Sequence, residues 1–187
     1  MEKTLEQERS DCLKIVLFGP ESTGKTTLSK ALAAHYNTEW VPEYMRTYLQ
    51  EKWDEKQEKI TKSDLLPIAK GQIAWENEKA KTAQSYLFCD TNLRELKVYC
   101  EYYYQGFCPE EIVQACKEED YSLYLLTYID IPWIADDLRD HPHDRQDMFR
   151  IFESELQKEG LPYKRLEGDL DQRLSDAVEA INQLKPN

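Results

Sequence analysis

The sequence predicts an α/β fold: a parallel sheet of about five strands sandwiched between helices. Three observations predict it. Short apolar runs recur without polar alternation, the pattern of strands covered on both faces. Between them lie segments whose apolar residues repeat every three to four positions. A glycine-bearing octapeptide directly follows the first run, where a strand would give way to a helix.

Leu13–Phe18 reads L-K-I-V-L-F, residues 86–89 read Y-L-F-C, and Leu123–Thr127 reads L-Y-L-L-T. All three are nearly continuous apolar runs, so each is expected to be buried on both faces. Tyr163–Leu166 is a fourth strand and residues 38–41 a weaker fifth. Residues 26–36 carry Leu28, Leu32 and Tyr36 on one helical face. Residues 144–159 align Met148, Phe152 and Leu156, and Gly160 with Pro162 supplies a stop. Asp169 followed by Gln172 resembles a capping box, opening a helix with Leu170, Leu174, Ala177, Ile181 and Leu184 on one side. Residues 51–62 are charge-rich and read as a solvated helix face or loop. Residues 1–12 are expected to be a polar extension and residues 13–187 one domain.

The octapeptide is Gly19-Pro20-Glu21-Ser22-Thr23-Gly24-Lys25-Thr26, which fits G-x-x-x-x-G-K-[ST], and Thr27 follows it. Its glycines let the backbone curl so that successive amides point at phosphate oxygens. The helix that follows adds the positive end of its dipole. Lys25 would reach the β- and γ-phosphates, and the Thr26 hydroxyl would ligate Mg²⁺. A chance match somewhere in a chain of this length is on the order of one in a hundred. The loop specifies a nucleoside triphosphate and leaves open what is done with it.

Other residues narrow that choice. Asp90 ends the apolar run at 86–89, where an acid assists the metal or accepts a proton from an attacking hydroxyl, and where Asp also caps helices. Glu43-Tyr44-Met45-Arg46 follows the strand at 38–41, at the end of a sheet where ligands bind. Glu43 and Arg46 also suit a surface ion pair. Pro132-Trp133 precedes a segment with Arg139, Arg145 and Arg150 and the pair His141/His143. Its arginines suit a lid that clamps phosphate, although Asp136, Asp137, Asp140 and Asp144 lie beside them. Arg150 falls inside the expected helix, and the histidines read as loop residues. Tyr99, Tyr102, Tyr103 and Tyr104 would pack mostly into the core, or stack on a substrate ring.

Composition sets limits. Apolar residues make up 41% and charged residues 32% of 187, which suits a globular protein. The net charge of −12 argues against nucleic acid and against an anionic membrane as partners. Cys12, Cys89, Cys100, Cys108 and Cys116 show no zinc-ligand spacing and are expected to be reduced thiols. The first residues form no targeting peptide, and no apolar stretch reaches a membrane-spanning length, so a cytoplasmic protein is expected. Oligomeric state is not legible.

The ordered set G-x-E-S-T-G-K-T-T-L, E-Y-x-R, an apolar strand ending D-T-N, I-P-W-x-x-D-x-x-R and a terminal G-x-P-Y resembles the nicotinamide riboside kinase domain of the bacterial bifunctional NAD-biosynthesis regulators. The resemblance runs from Leu13 to Leu184. It implies a nucleoside/nucleotide-kinase-like P-loop fold and ATP-dependent, Mg²⁺-assisted phosphorylation of the ribose 5′-hydroxyl of a nucleoside-like small molecule, nicotinamide riboside. By position, Gly19, Glu21, Ser22, Thr23, Gly24, Lys25, Thr26 and Thr27 would hold ATP, and Thr26 and Asp90 the metal. Asp90 acts at the metal or as base, Glu43, Tyr44, Arg46 and Asn92 form the substrate side, and Arg139 and Arg145 belong to the lid. A cationic nicotinamide ring suits an acidic, aromatic-rich surround. The chain departs from the pattern at Pro42, where members often carry Trp, and at Asp136-Asp137, where the lid commonly reads D-G. The adenylyltransferase module has no counterpart ahead of the first strand, so conversion of the mononucleotide to NAD is not expected on this chain. Another riboside or a vitamin alcohol such as thiamine is the alternative acceptor, and a non-catalytic ATP switch the alternative function.

Overall fold

The computed structural model describes residues 5–135 and 143–184. Arg139, with Asp136, Asp137 and His141, lies outside the described residues. Five strands form one parallel sheet: β1 (Leu13–Phe18), β2 (Trp40–Val41), β3 (Tyr86–Asp90), β4 (Leu123–Thr127) and β5 (Tyr163–Leu166), in the order β2-β3-β1-β4-β5. Helices connect them: α1 (Lys25–Tyr36), α2 (Tyr44–Lys56), α3 (Leu65–Ala80), α4 (Leu93–Tyr103), α5 (Glu110–Glu118), α6 (Arg145–Lys158) and α7 (Leu170–Asn182).

Covering both faces explains the unbroken apolar runs. Along β1, Val16 and Phe18 pack with Phe149 and Phe152 of α6 on one side. Ile15 and Leu17 pack with Leu28 and Leu32 of α1 and Ala177 and Ile181 of α7 on the other. Each such side chain contributes about 1.5–3 kcal/mol by leaving water. A third cluster, with Leu65, Ile68 and Ile73 of α3, Leu93 and Leu96 of α4 and Ile112 of α5, lies beside the sheet.

The strands expected from the sequence are present, with β2 shortened to two residues. Residues 51–56 close α2, which buries no residue fully, so its charged pattern is that of a solvated helix. Leu170 is 41% exposed instead of joining the α7 stripe. Asp169 does cap α7, accepting from the Gln172 amide at 2.9 Å. The Gln172 side chain turns forward to Asp176 at 2.8 Å, so the reciprocal half of a capping box is absent.

Residues 65–80 carry no assignment from the sequence yet form the longest described helix. Pro67 and Gly71 depress its propensity. Both fit: Pro67 lies in the first turn, where its missing amide costs little, and Gly71 makes room for α2. A β-carbon at Gly71 would stand 2.0 Å from the Tyr44 ring. Burial on several sides also hides the amphipathic stripe, since Gln72, Glu76 and Asn77 are buried with the aliphatic residues. Glu76 is satisfied by Tyr121 at 2.6 Å, Gln7 at 2.6 Å and the Lys14 ammonium at 3.3 Å.

The topology creates one crevice. From β1 the chain moves toward β2, and from the adjacent β3 it crosses toward β4. Ligands of open α/β sheets bind at the carboxyl ends of strands where the connections diverge in this way.

The Tyr44 contact yields a test. Gly71→Ala is expected to force α2 off α3 and cost about 1–3 kcal/mol by overpacking, read as a lowered urea midpoint with unchanged slope.

Candidate active site

The loop from Gly19 to Gly24 leaves β1 and enters α1. Gly19 has φ +140, and a β-carbon there would meet the Thr127 carbonyl and hydroxyl oxygens at 2.9 Å each, so only glycine fits. Thr23 locks the curl, bonding the Pro20 carbonyl at 2.8 Å and the Thr127 hydroxyl at 2.7 Å. Gly24 occupies the N-cap of α1 with φ +83 and offers no side-chain cap. The first amides of α1 are thus left for an external acceptor, in the field of the helix dipole.

Lys25 is buried at 8% exposure. Its ammonium donates to the Gly19 and Pro20 carbonyls at 2.6 and 2.9 Å and stands 3.0 Å from a Glu95 oxygen. Burial works against its charge, but Glu95, Glu43 and Asp90 more than offset this and hold the lysine above its ordinary value. Across the crevice, the Thr26 hydroxyl donates to Asp90 Oδ2 at 2.5 Å. Asp90 is 1% exposed, and its Oδ1 has no partner among the described residues. Burial raises its pKa against the pull of Lys25 and Thr26. A buried, half-satisfied carboxylate beside a hydroxyl fits a hard, oxygen-seeking cation such as Mg²⁺. Among the described residues no group of three or more His, Cys, Asp or Glu is arranged to hold a metal, so other ligands would have to come from substrate and water.

Glu43 stands at the N-cap position of α2, just past the carboxyl end of β2, and makes no side-chain capping bond. Burial first and the Asp90 carboxylate second push it up to about 7, against Lys25 and Arg46. Glu43, Arg46, Lys25, Thr26, Glu95 and Tyr99 line one cavity of about 250 Å³. A second hollow of about 390 Å³ shares Thr26, Glu43 and Arg46 and extends along α2 past Trp40. A larger hollow of about 990 Å³, lined by residues such as Arg9, Ser85 and Ser122, opens at the amino ends of the strands, away from the loop.

Two expected substrate residues turn elsewhere. Asn92 caps α4, accepting from the Glu95 amide at 3.1 Å, and its amide donates to Tyr124 at 3.2 Å; it is 2% exposed. The Tyr44 ring packs on Gly71 and Trp75 of α3, away from the cavity. Arg145 opens α6 and donates to the Ile131 carbonyl at 2.9 Å and the Ser22 carbonyl at 3.2 Å, so it braces the outside of the loop. Arg150 pairs with Asp147 in solvent. Of the tyrosine cluster, Tyr99 is buried against the cavity and Tyr103 is exposed.

Sequence reasoning missed Glu95 and Arg173. Glu95 follows Asn92 by three residues, so it reads as the second half of a capping box; its carboxylate goes to Lys25 instead. Arg173 lies four residues past the Asp169 cap and reads as a solvated helix position. It is 3% exposed and donates to the Thr23 carbonyl, the Tyr128 carbonyl and Asp130. Arg145 and Arg173 therefore hold carbonyls of the loop from behind. Thr91, between Asp90 and Asn92, has φ +77, a conformation a β-branched residue adopts at a cost of about 1–3 kcal/mol.

A protein-family description, AAA domain, matches residues 14–173. The chain belongs to this family. The AAA-domain chain is 29% identical over 174 residues to the trifunctional NAD biosynthesis/regulator protein NadR of Escherichia coli K12. That match covers 91% of the chain and 42% of the relative, so the chain spans about two fifths of the curated relative's length. A crystal structure of NadR protein in complex with NR superposes with TM-score 0.76 at 22% identity, covering 94% of this chain and 53% of that one. Deoxyadenosine kinase from M. mycoides superposes with TM-score 0.66 at 10% identity, covering 92% of this chain and 100% of that one. The fold is that of P-loop nucleoside and nucleotide kinases. No helix among the described residues is long and apolar enough to cross a membrane.

Burial raises Glu43 to about 7, and Glu95 and Glu119 to about 8 each, from 4.5. Carboxyls raised in the folded state contribute stability that is full below the unfolded value and lost as pH rises through the folded value. The ligand-free protein is therefore expected to lose stability between about pH 5 and about pH 8. Glu119→Gln, away from the loop, is expected to remove part of that slope in urea midpoints measured across the range.

Proposed function

We propose that the chain is an ATP-dependent kinase that phosphorylates the ribose 5′-hydroxyl of nicotinamide riboside to give the mononucleotide. The observation that carries this reading is the convergence of Lys25, Thr26, Asp90 and Glu43 on two adjoining hollows, which share Thr26 and Glu43, at the carboxyl ends of β1, β2 and β3. The likeness to NadR and to a NadR structure in complex with NR supports the acceptor. The ordered motifs, read through E-Y-x-R, support it as well.

Phosphoryl transfer asks the protein for positioning and charge neutralisation. The first amides of α1 and the Lys25 ammonium would bind the triphosphate tail. Thr26 and Asp90 would hold Mg²⁺, which when bound neutralises charge on the phosphate oxygens. The geometry supports a division of labour between the two candidate acids. Asp90 already accepts from Thr26 and is shut in at 1% exposure. Glu43 titrates near neutrality, as a general base should. In the proposed step the acceptor oxygen bonds to the γ-phosphorus, its proton passes to Glu43, and the bond to the β–γ bridging oxygen breaks to release ADP.

Trp40 carries the Lys30 ammonium 5.2 Å over its ring, on the α1 side. It also lines the hollow of about 390 Å³ beside Pro42, Glu43 and Arg46, so an aromatic ring stands next to the position where Pro42 replaces Trp. The acceptor is therefore to be tested across a panel of nicotinamide riboside, common nucleosides and thiamine, following ADP release. Turnover with nicotinamide riboside well above the rest is expected; no turnover with any acceptor by folded protein overturns the reading.

Glu43→Gln is expected to lower kcat by about 10²–10⁴-fold while leaving AMP-PNP affinity within a few-fold. In the wild type, log kcat/KM is expected to climb with pH toward a plateau above about 7, as Glu43 of the free enzyme loses its proton. A flat profile, or an equally flat loss in Asp90→Asn alone, would transfer the base role to Asp90.

A further inference from the structure

The wall of the cavity formed by α4 holds two polar atoms that the reading above does not use. Glu95 Oε2 and the Tyr99 hydroxyl are buried and have no hydrogen-bond partner among the described residues. They lie one helical turn apart, so they share a face, and both residues line the cavity that holds Lys25 and Glu43. The residues are 2% and 8% exposed. A buried polar group without a partner costs about 1–3 kcal/mol, so two on one wall point to a ligand that completes them.

We infer that Glu95 and Tyr99 together bind a hydroxyl of the acceptor other than the one phosphorylated, and that the triphosphate releases Glu95 for this role by drawing away Lys25. The inference rests on the kinase reading. Its chemistry follows from complementarity. A carboxylate only accepts and a phenol can donate, whereas a sugar hydroxyl does both. One hydroxyl between them satisfies both orphans at once.

The exchange follows from the position of Lys25. Its ammonium is bound to the Gly19 and Pro20 carbonyls and stands 3.0 Å from Glu95. It can serve a phosphate only by loosening these contacts. Glu95 is then left as a buried anion with Glu43 and Asp90 nearby, a state that burial and those neighbours already disfavour. A hydroxyl donor offsets part of that loss. Triphosphate and acceptor should therefore bind with positive coupling, and the coupling must be reciprocal.

Calorimetric titration of nicotinamide riboside, with and without saturating magnesium–AMP-PNP, tests this. In the wild type the analogue is expected to tighten riboside binding about tenfold. Glu95→Gln, which keeps the shape and removes the charge, should bring that ratio within about twofold and tighten AMP-PNP binding in the absence of riboside. Tyr99→Phe should weaken the riboside several-fold and leave AMP-PNP affinity unchanged. Absence of coupling in the wild type, or coupling preserved in Glu95→Gln, overturns the inference. Should Glu95→Gln fail to fold, the wild-type titrations and Tyr99→Phe decide. If the riboside binds the wild type under neither condition while AMP-PNP binds, the acceptor reading fails. AMP-PNP affinity then judges the exchange alone: unchanged or weaker binding to Glu95→Gln overturns it.

Discussion

A buried ammonium organises this molecule. An amine taken out of water must be paired or it gives up its proton. Lys25 keeps its charge because two loop carbonyls and the Glu95 carboxylate surround it. That requirement reaches outward. The loop must curl so that its carbonyls meet the lysine, which demands glycine at position 19 against Thr127. The curl must be braced from behind, which falls to Thr23, Arg145 and Arg173. The helix bearing Glu95 must dock beside the loop. In the ligand-free state these contacts reproduce, in protein atoms, much of the charge environment that a triphosphate would supply.

The same crowding sorts the acids. Glu43, Asp90 and Glu95 crowd around the buried Lys25, and burial raises all three. They differ in their partners. Asp90 has a hydroxyl, Glu95 has the ammonium, and Glu43 has charges only at longer range. When titratable groups share a site, the environments that distinguish them also distribute their work. A carboxyl near neutrality suits proton transfer, and one fixed by a hydroxyl suits a metal.

The sheet and the phosphate loop were legible because their signals are local. An unbroken apolar run such as Leu123–Thr127 needs only its own residues to be read, and the loop consensus compresses curl, dipole and lysine into eight positions. Helix α3 was not legible because its logic is tertiary. Gly71 answers the Tyr44 ring and buried Glu76 answers Tyr121, so intrinsic propensity and periodicity both mislead. Glu95 and Arg173 were hidden for a related reason. A charged residue in a helix looks solvated until its partner, here distant in sequence, is known. Asn92 and Tyr44 show the opposite case: they sit inside the motifs quoted from the sequence, yet the Asn92 side chain caps α4 and the Tyr44 ring packs on α3.

Helix α4 joins these strands of argument. Its one face presents Glu95 and Tyr99 to the crevice. Its other side holds Arg94, 4% exposed, between Glu155 of α6 at 3.0 Å and Glu119 beyond α5 at 3.7 Å. Buried ion pairs of this kind are weak sources of net stability, because desolvation consumes most of the attraction. What they supply is geometry, since Arg94 also donates to the Cys116 carbonyl and so ties three helices to one orientation. Asn92 pins the amino end of α4 to Tyr124 of the central sheet, next to strained Thr91 and Asp90. A helix that could slide would let Glu95 follow Lys25 and remain paired. A helix held this firmly cannot, and so a Glu95 abandoned by the lysine is completed by a proton or by a donor on whatever enters the crevice.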